Sequence, residues 1–279
     1  MSRIPFSQML KEAGTDIRRE YDRLYDLFWK KNIYDGMNCI ITLRSICDEF
    51  FTRMPFSGTC VSLNDFDVSY KCVFREFPRD FDLDYLIRFC EYSYNLVYHV
   101  NLVSQGNQTK AMQDAIQFYL RQIQRVVEKI GYMGNVKDCI TDFVPKDPAA
   151  ISMAEIVDPE LSYRVIEYNH HSMKGDLERK RATLLVLADK LEAQRSKLKQ
   201  INTSLETDIF FLFNSVNVRH NNTDPNGKKH IPFVAGMKNE EIEYWYDELY
   251  QMCLLAFLEL DHLGRKNSLN QLKNSIQTK

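Results

Sequence analysis

Written in sevens, residues 177–212 read LERKRAT LLVLADK LEAQRSK LKQINTS LETDIFF L. Leu177, Leu184, Leu191, Leu198, Leu205 and Leu212 open successive heptads. An α-helix turns once every 3.6 residues, so a seven-residue repeat keeps these side chains on one stripe. The spacing predicts one continuous helix from Asp176 to Val218, about 60 Å long at 1.5 Å per residue. The second row that a coiled coil needs is only partly apolar. Leu187, Ile201, Ile209 and Val216 contribute to it, while Arg195, Asn202 and Asp208 interrupt it. A parallel leucine zipper requires both rows. Packing within the chain is therefore favoured, and a coiled-coil dimer through this stripe is the alternative.

Working outward, the same 3–4 residue periodicity predicts helices over residues 7–31, 34–53, 82–98 and 111–130. Short helices are expected over 150–157 and 159–173, and an amphipathic one over 239–263 with Glu240 and Glu241 in its first turn. The period changes once. Val68, Tyr70, Cys72 and Phe74 alternate with polar residues, which predicts a strand paired with Thr59–Leu63 in a small β-hairpin. Gly131, Gly134, Pro145 and Pro148 punctuate an irregular stretch, the expected boundary between a domain over residues 1–142 and one over 143–279. The predicted fold class is mostly α: a helical bundle with one very long helix and a small β-hairpin in the N-terminal half.

Composition narrows the function. Hydrophobic residues make up 44% and charged residues 27%, enough for a globular core. A net charge of -2 argues against a surface that is basic throughout, as nucleic-acid-binding domains usually are. The 7 cysteines are odd in number and contain no C-x-x-C spacing, so reduced, packed thiols are expected rather than a disulfide framework. Met1 to Leu10 carries no basic stretch followed by an apolar one, and no window approaches ~18 apolar residues. The expected location is the cytoplasm, with no membrane partner.

Whole classes of chemistry lack their motifs: there is no G-x-x-x-x-G-K-[ST], G-x-G-x-x-G, G-x-S-x-G or H-E-x-x-H. Two polar groups remain. In Asn217-x-Arg219-His220-Asn221-Asn222, the guanidinium offers a planar fork suited to phosphate and the imidazole can exchange a proton near neutral pH. The same residues at a helix end, followed by Pro225 and Gly227, also fit ordinary capping and turn chemistry. In the second group, Arg164 precedes His170 and His171, so Arg164 and His170 can approach one side of a helix within two turns. The bland reading is a solvated polar face. No supporting cysteine or carboxylate lies at ligand spacing around this histidine pair, so neither a metal nor another cofactor is expected. Aromatic clusters at Tyr85–Tyr98 and Tyr244–Tyr250 have acidic neighbours, which favours core packing over base stacking.

An arginine followed by a histidine on a helix of an all-helical core resembles the HEPN proteins, which include bacterial toxins and phage-defence ribonucleases. The resemblance covers residues 150–265. It implies metal-independent RNA cleavage, with Arg219 or Arg164 on the scissile phosphate and His220 or His170 assisting proton transfer, Asn221 lying beside them. It also implies two protomers sharing a site and an abortive-infection setting. The chain departs from the family pattern at both places. The histidine after His220 is His230, and Val165 stands where a polar residue is usual. Two functions follow as expectations. One is a non-catalytic helical interaction or effector protein of a bacterial defence or stress system, binding a protein partner or itself. The other is a ribonuclease with RNA as its partner.

Overall fold

The computed structural model describes residues 16–34, 40–104 and 108–277. The first part of the helix predicted over 7–31, Met37 of the next one, and part of the break at 104–108 lie outside the described residues. Helices dominate, with two small antiparallel hairpins, and the mostly α expectation holds. The chain forms two compact units that divide after Pro145.

The first unit contains α1 (Ile17–Trp29), β1 (Ile33–Tyr34), β2 (Ile40–Ile41), α2 (Leu43–Phe50), α3 (Leu63–Ser69), α4 (Leu83–Val103), α5 (Lys110–Lys129), β3 (Tyr132–Lys137) and β4 (Ile140–Pro145). Helix α4 packs against α1, α2, α5 and β4. Tyr21, Phe28, Phe89 and Tyr119 are buried at the centre. Tyr21 and Phe89 meet edge to face at 5.1 Å between centroids, a favoured aromatic geometry.

The hairpin expected over 59–74 does not form. Ser62 instead caps α3, its side chain accepting from the Asp65 amide, and this sets a helical turn where alternation pointed to a strand. Val68 and Tyr70, expected to face a core, are exposed. The helix predicted from residue 34 likewise begins only at Leu43, after a Thr42–Ser45 capping box. The longer of the two strand pairs in the first unit lies in the stretch read as irregular, where β3 pairs with β4 from Tyr132↔Pro145 to Lys137↔Ile140. Its two-residue turn puts Asp138 and Cys139 at φ 50 and 65, both left-handed, as a type I′ turn requires.

Three polar side chains of α4 grip the free edge of β4. Glu91 Oε1 accepts from the Phe143 amide at 2.7 Å. The Asn95 side chain both donates to the Thr141 carbonyl and accepts from its amide, each at 2.8 Å. His99 Nε2 meets the Cys139 carbonyl at 3.0 Å. Four helical residues rise about 6 Å and two strand residues about 6.8 Å, so the two periods stay in step over this length. Burial lowers the His99 pKa, and the Cys139 carbonyl partly opposes that.

The second unit contains α6 (Pro148–Ala154), α7 (Pro159–Glu167), α8 (Leu177–Glu192), α9 (Arg195–Ile201), α10 (Thr203–Ser215), α11 (Pro232–Ala235) and α12 (Asn239–Gln277). The helix predicted over 176–218 is thus three helices. Its leucines nevertheless do what the heptads imply, with Leu184, Leu191, Leu198, Leu205 and Leu212 all buried. The breaks fall at two of the polar interruptions. Arg195 opens α9. Asn202 leaves the helical conformation (φ -148°, ψ 87°) and caps α10 by accepting from the Leu205 amide. Arg195 Nε also reaches Glu206 Oε1 at 2.6 Å, whereas eleven residues along a straight helix would separate them by about 16 Å. Because these leucines are packed inside the unit, the stripe is not a dimer surface.

The very long helix is α12, with 39 residues, continuing past the Leu263 end that was expected. It packs against α6, α8, α9 and α10. Lys180 of α8 is buried and lies 2.7 Å from both Glu243 and Asp247 of α12. Burial works against the Glu243 charge, but the Gly175 amide and the Lys180 ammonium more than offset it and hold its pKa below the usual carboxylate value.

Two measurements follow. Cys139→Gly converts the turn to Asp-Gly, the preferred type I′ pair, and should stabilise the first unit by about 0.5–1 kcal/mol in thermal or urea unfolding. The depressed Glu243 pKa contributes stability that is present above the unfolded value of about 4.3 and lost as pH falls through the folded one. Melting followed from pH 6 to pH 3 should therefore show a smaller acid-induced fall in Tm for Glu243→Gln than for the parent chain.

Candidate functional site

At the end of α10 the polar run from Asn217 to Asn222 folds into a knot around one buried amide. Asn217 takes φ 63, the left-handed conformation that ends a helix and that Asn tolerates. Asn222 is 1% exposed. Its Oδ1 accepts from the Asn217 amide at 2.9 Å, and the Asn217 Oδ1 accepts in return from the Asn222 amide at 3.2 Å. Asn222 Nδ2 donates to the carbonyls of Asn214 (3.1 Å) and Lys229 (2.8 Å), which uses both of its donor hydrogens. Arg181 Nε donates to the carbonyls of Asn217 and Val218, and the Tyr246 hydroxyl donates to Asn217. The carbonyls of Asn214, near the end of α10, and of Asn217 and Val218, just beyond it, thereby gain partners.

Arg219 is engaged in the same way. Its guanidinium meets Glu192 Oε2 at 2.7 Å and the Ala188 carbonyl at 3.1 Å, 5.3 Å from the ring centroids of both Phe210 and Phe213. Arg195 lies over the Phe210 ring at 4.1 Å and pairs with Glu206. The Arg219 hydrogen bond is the main reason the Glu192 pKa is lowered. The carboxylate and the carbonyl engage both terminal nitrogens of the planar fork, and 21% of the side chain stays exposed. His220 is partly exposed, and its side chain makes no hydrogen bond among the described residues. Asn221 is exposed and accepts from the Thr223 hydroxyl. The three residues are neighbours in sequence, and no hydrogen bond joins their side chains among the described residues.

The alternative pair fares similarly. Helix α7 ends at Glu167, so Arg164 and His170 do not share a helix. Arg164 pairs with Glu160 one turn back at 3.3 Å. His170 lies beyond the helix end, where its Nδ1 accepts from the Ser172 amide and meets the Ser172 hydroxyl. That hydroxyl accepts from Arg179, whose other nitrogen holds Glu167. His170 is therefore part of the turn that joins α7 to α8.

A different feature of the second unit faces outward. A groove of about 560 Å³ lies between α10, α11 and α12, with Phe211, Phe233, Met237, Trp245 and Met252 on its walls. Phe233 is 77% exposed, Phe211 64% and Trp245 37%. The aromatic cluster at Tyr244–Tyr250 was expected to be core throughout. Tyr246 and Tyr250 are core, while Tyr244 and Trp245 face outward. Asp208 lines the groove. Glu241 and Glu248 sit one turn on either side of Trp245 on α12, and so share its face. The sequence carried a trace of this surface: Phe211 stands off the leucine stripe, and Phe233 lies in what reads as a polar loop.

The first unit has an apolar groove of about 500 Å³, lined by Phe66, Tyr70, Phe74 and Tyr92 with Lys71 and Arg88. Exposed Val68 and Val73 lie nearby in sequence.

Asn222→Ala would remove the side-chain partner of three backbone groups and empty a buried site, and should destabilise the second unit by about 1–3 kcal/mol, whereas Asn221→Ala should change stability by less than about 0.5 kcal/mol. Urea unfolding of the two variants distinguishes a fold-forming run from an exposed reactive one. No protein-family model, curated protein or solved structure matches the chain.

Proposed function

We propose that this protein acts by binding other macromolecular surfaces, as a non-catalytic helical interaction or effector protein. In the setting that the resemblance implies, a bacterial defence or stress response, it would serve as an adaptor rather than a nuclease. The engagement of Arg219 carries this reading. The residue best suited to hold a scissile phosphate is occupied by Glu192, the Ala188 carbonyl and two aromatic rings. Breaking such a pair to admit a phosphate would leave Glu192 beside an anion, an unfavourable exchange. The outward-facing Phe211, Phe233 and Trp245 support the binding half of the reading, since contiguous exposed aromatics mark interaction sites.

The test is RNA cleavage in a chelator, with labelled total RNA and tRNA, comparing the parent chain with Arg219→Ala/His220→Ala and Arg164→Ala/His170→Ala. No cleavage by any of the three is expected. Cleavage by the parent chain that disappears in one double variant would overturn the proposal and assign the site. His220→Ala alone removes no side-chain hydrogen bond among the described residues and serves as the control for a variant that loses activity only by unfolding.

A further inference from the structure

We propose that the groove beside Trp245 receives the distal part of α12, residues 264–277, from a second copy of this chain. The inference rests on the interaction reading and names the partner. Leu269, Leu272 and Ile276 follow the i, i+3, i+7 spacing of one helical stripe and are all exposed. Charge separates the two surfaces. Residues 264–279 contain basic residues and no Asp or Glu. Arg265 is matched by Asp261 of its own helix, whereas Lys266 and Lys273 have no ion-pair partner among the described residues. The groove carries the opposite sign. Asp208, Glu241 and Glu248 are acidic, and none of them is in an ion pair among the described residues.

Two alternative occupants are disfavoured by geometry. Leu272 lies 27 residues beyond Trp245 along one helix, about 40 Å, so a chain cannot place this stripe in its own groove without breaking α12. Pairing stripe with stripe would bring Lys266 and Lys273 of both copies to the flanks of one seam, where like charges repel. Stripe into groove instead sets lysines against carboxylates and aliphatic side chains against Phe211, Phe233 and Trp245. Reciprocal exchange between two copies closes the assembly as a dimer.

Light scattering coupled to size exclusion on the full chain tests this. The parent chain is expected to be dimeric at high concentration and to dissociate on dilution and with added salt. Leu269→Asp/Leu272→Asp on the tail, and separately Phe211→Glu/Phe233→Glu on the groove, should each weaken association about tenfold or more; these side chains are exposed, so circular dichroism should show an unchanged fold. The deciding sample is the mixture. The tail variant keeps its groove and the groove variant keeps its tail, so the mixed pair retains one of the two contacts, where either variant alone retains none. Mixing should therefore give a one-to-one dimer weaker than the parent but stronger than either variant alone. A parent chain that stays monomeric, a tail variant that associates like the parent, or a mixture that associates no more strongly than either variant alone would each overturn the proposal. RNA cleavage would overturn the non-catalytic reading without changing these masses. A monomeric chain that cleaves no RNA would leave that reading in place with another partner.

Discussion

A helix that ends inside a protein leaves its last carbonyls and first amides without partners and away from water. In the second unit this constraint falls hardest at the end of α10, where the chain must reverse and enter the loop to α11. Asn222 meets it with one amide that serves three backbone groups while excluded from solvent. Arg181 and Tyr246 bring donors from α8 and α12 to the carbonyls that Asn222 does not reach. The knot therefore joins three helices as well as closing one. Arg219 extends it to the Ala188 carbonyl and Glu192, so the register of α10 against α8 depends on the same run of residues.

The same constraint explains how much of the fold could be read. Burial periodicity was legible: the helices over 82–98 and 111–130 correspond to α4 and α5, and the heptad leucines from Leu184 onward are buried. Continuity was not. A seven-residue repeat reports which side of a helix is apolar, and a chain that turns and resumes helix can keep that side inward. The interruptions at Arg195 and Asn202 were visible as polar residues in an apolar row. Their consequence needed long-range partners, Glu206 for Arg195 and Glu259 for Asn202. The misplaced hairpin has a local cause. Ser62 and Asp65 satisfy a helix start, and local capping outweighed alternation across Val68 to Phe74. The true β3–β4 hairpin lacks a glycine at its turn and has its edge held by α4 side chains, neither of which leaves a pattern in sequence.

The candidate site was legible as a cluster and illegible as chemistry. Arg, His and Asn are the residues of phosphate chemistry because they carry donors, and they are the residues of helix ends for the same reason. Sequence spacing cannot separate the two uses, since both place several donors within a few residues. The separation comes from what stands opposite. For Arg219 it is Glu192, 27 residues earlier on another helix, and for His170 it is Ser172 in its own turn.

Helix α12 then shows what the interior of the second unit does not use. Up to Leu260 it presents Ile242, Tyr246, Leu249, Tyr250, Cys253, Leu254 and Ala256 to the core. Beyond Gly264 the composition shifts toward Asn and Ser, which are weaker helix formers, and Lys, which carries like charge, with leucines that remain exposed. A short segment of that composition has little intrinsic tendency to stay helical in water, where isolated helices of this length are marginal. Retaining an apolar stripe on such a segment is costly unless something covers it, because exposed leucines gain nothing from the fold. The stripe and the aromatic groove present the same problem at two places on the chain, each carrying the charge the other lacks. Covering one with the other resolves both.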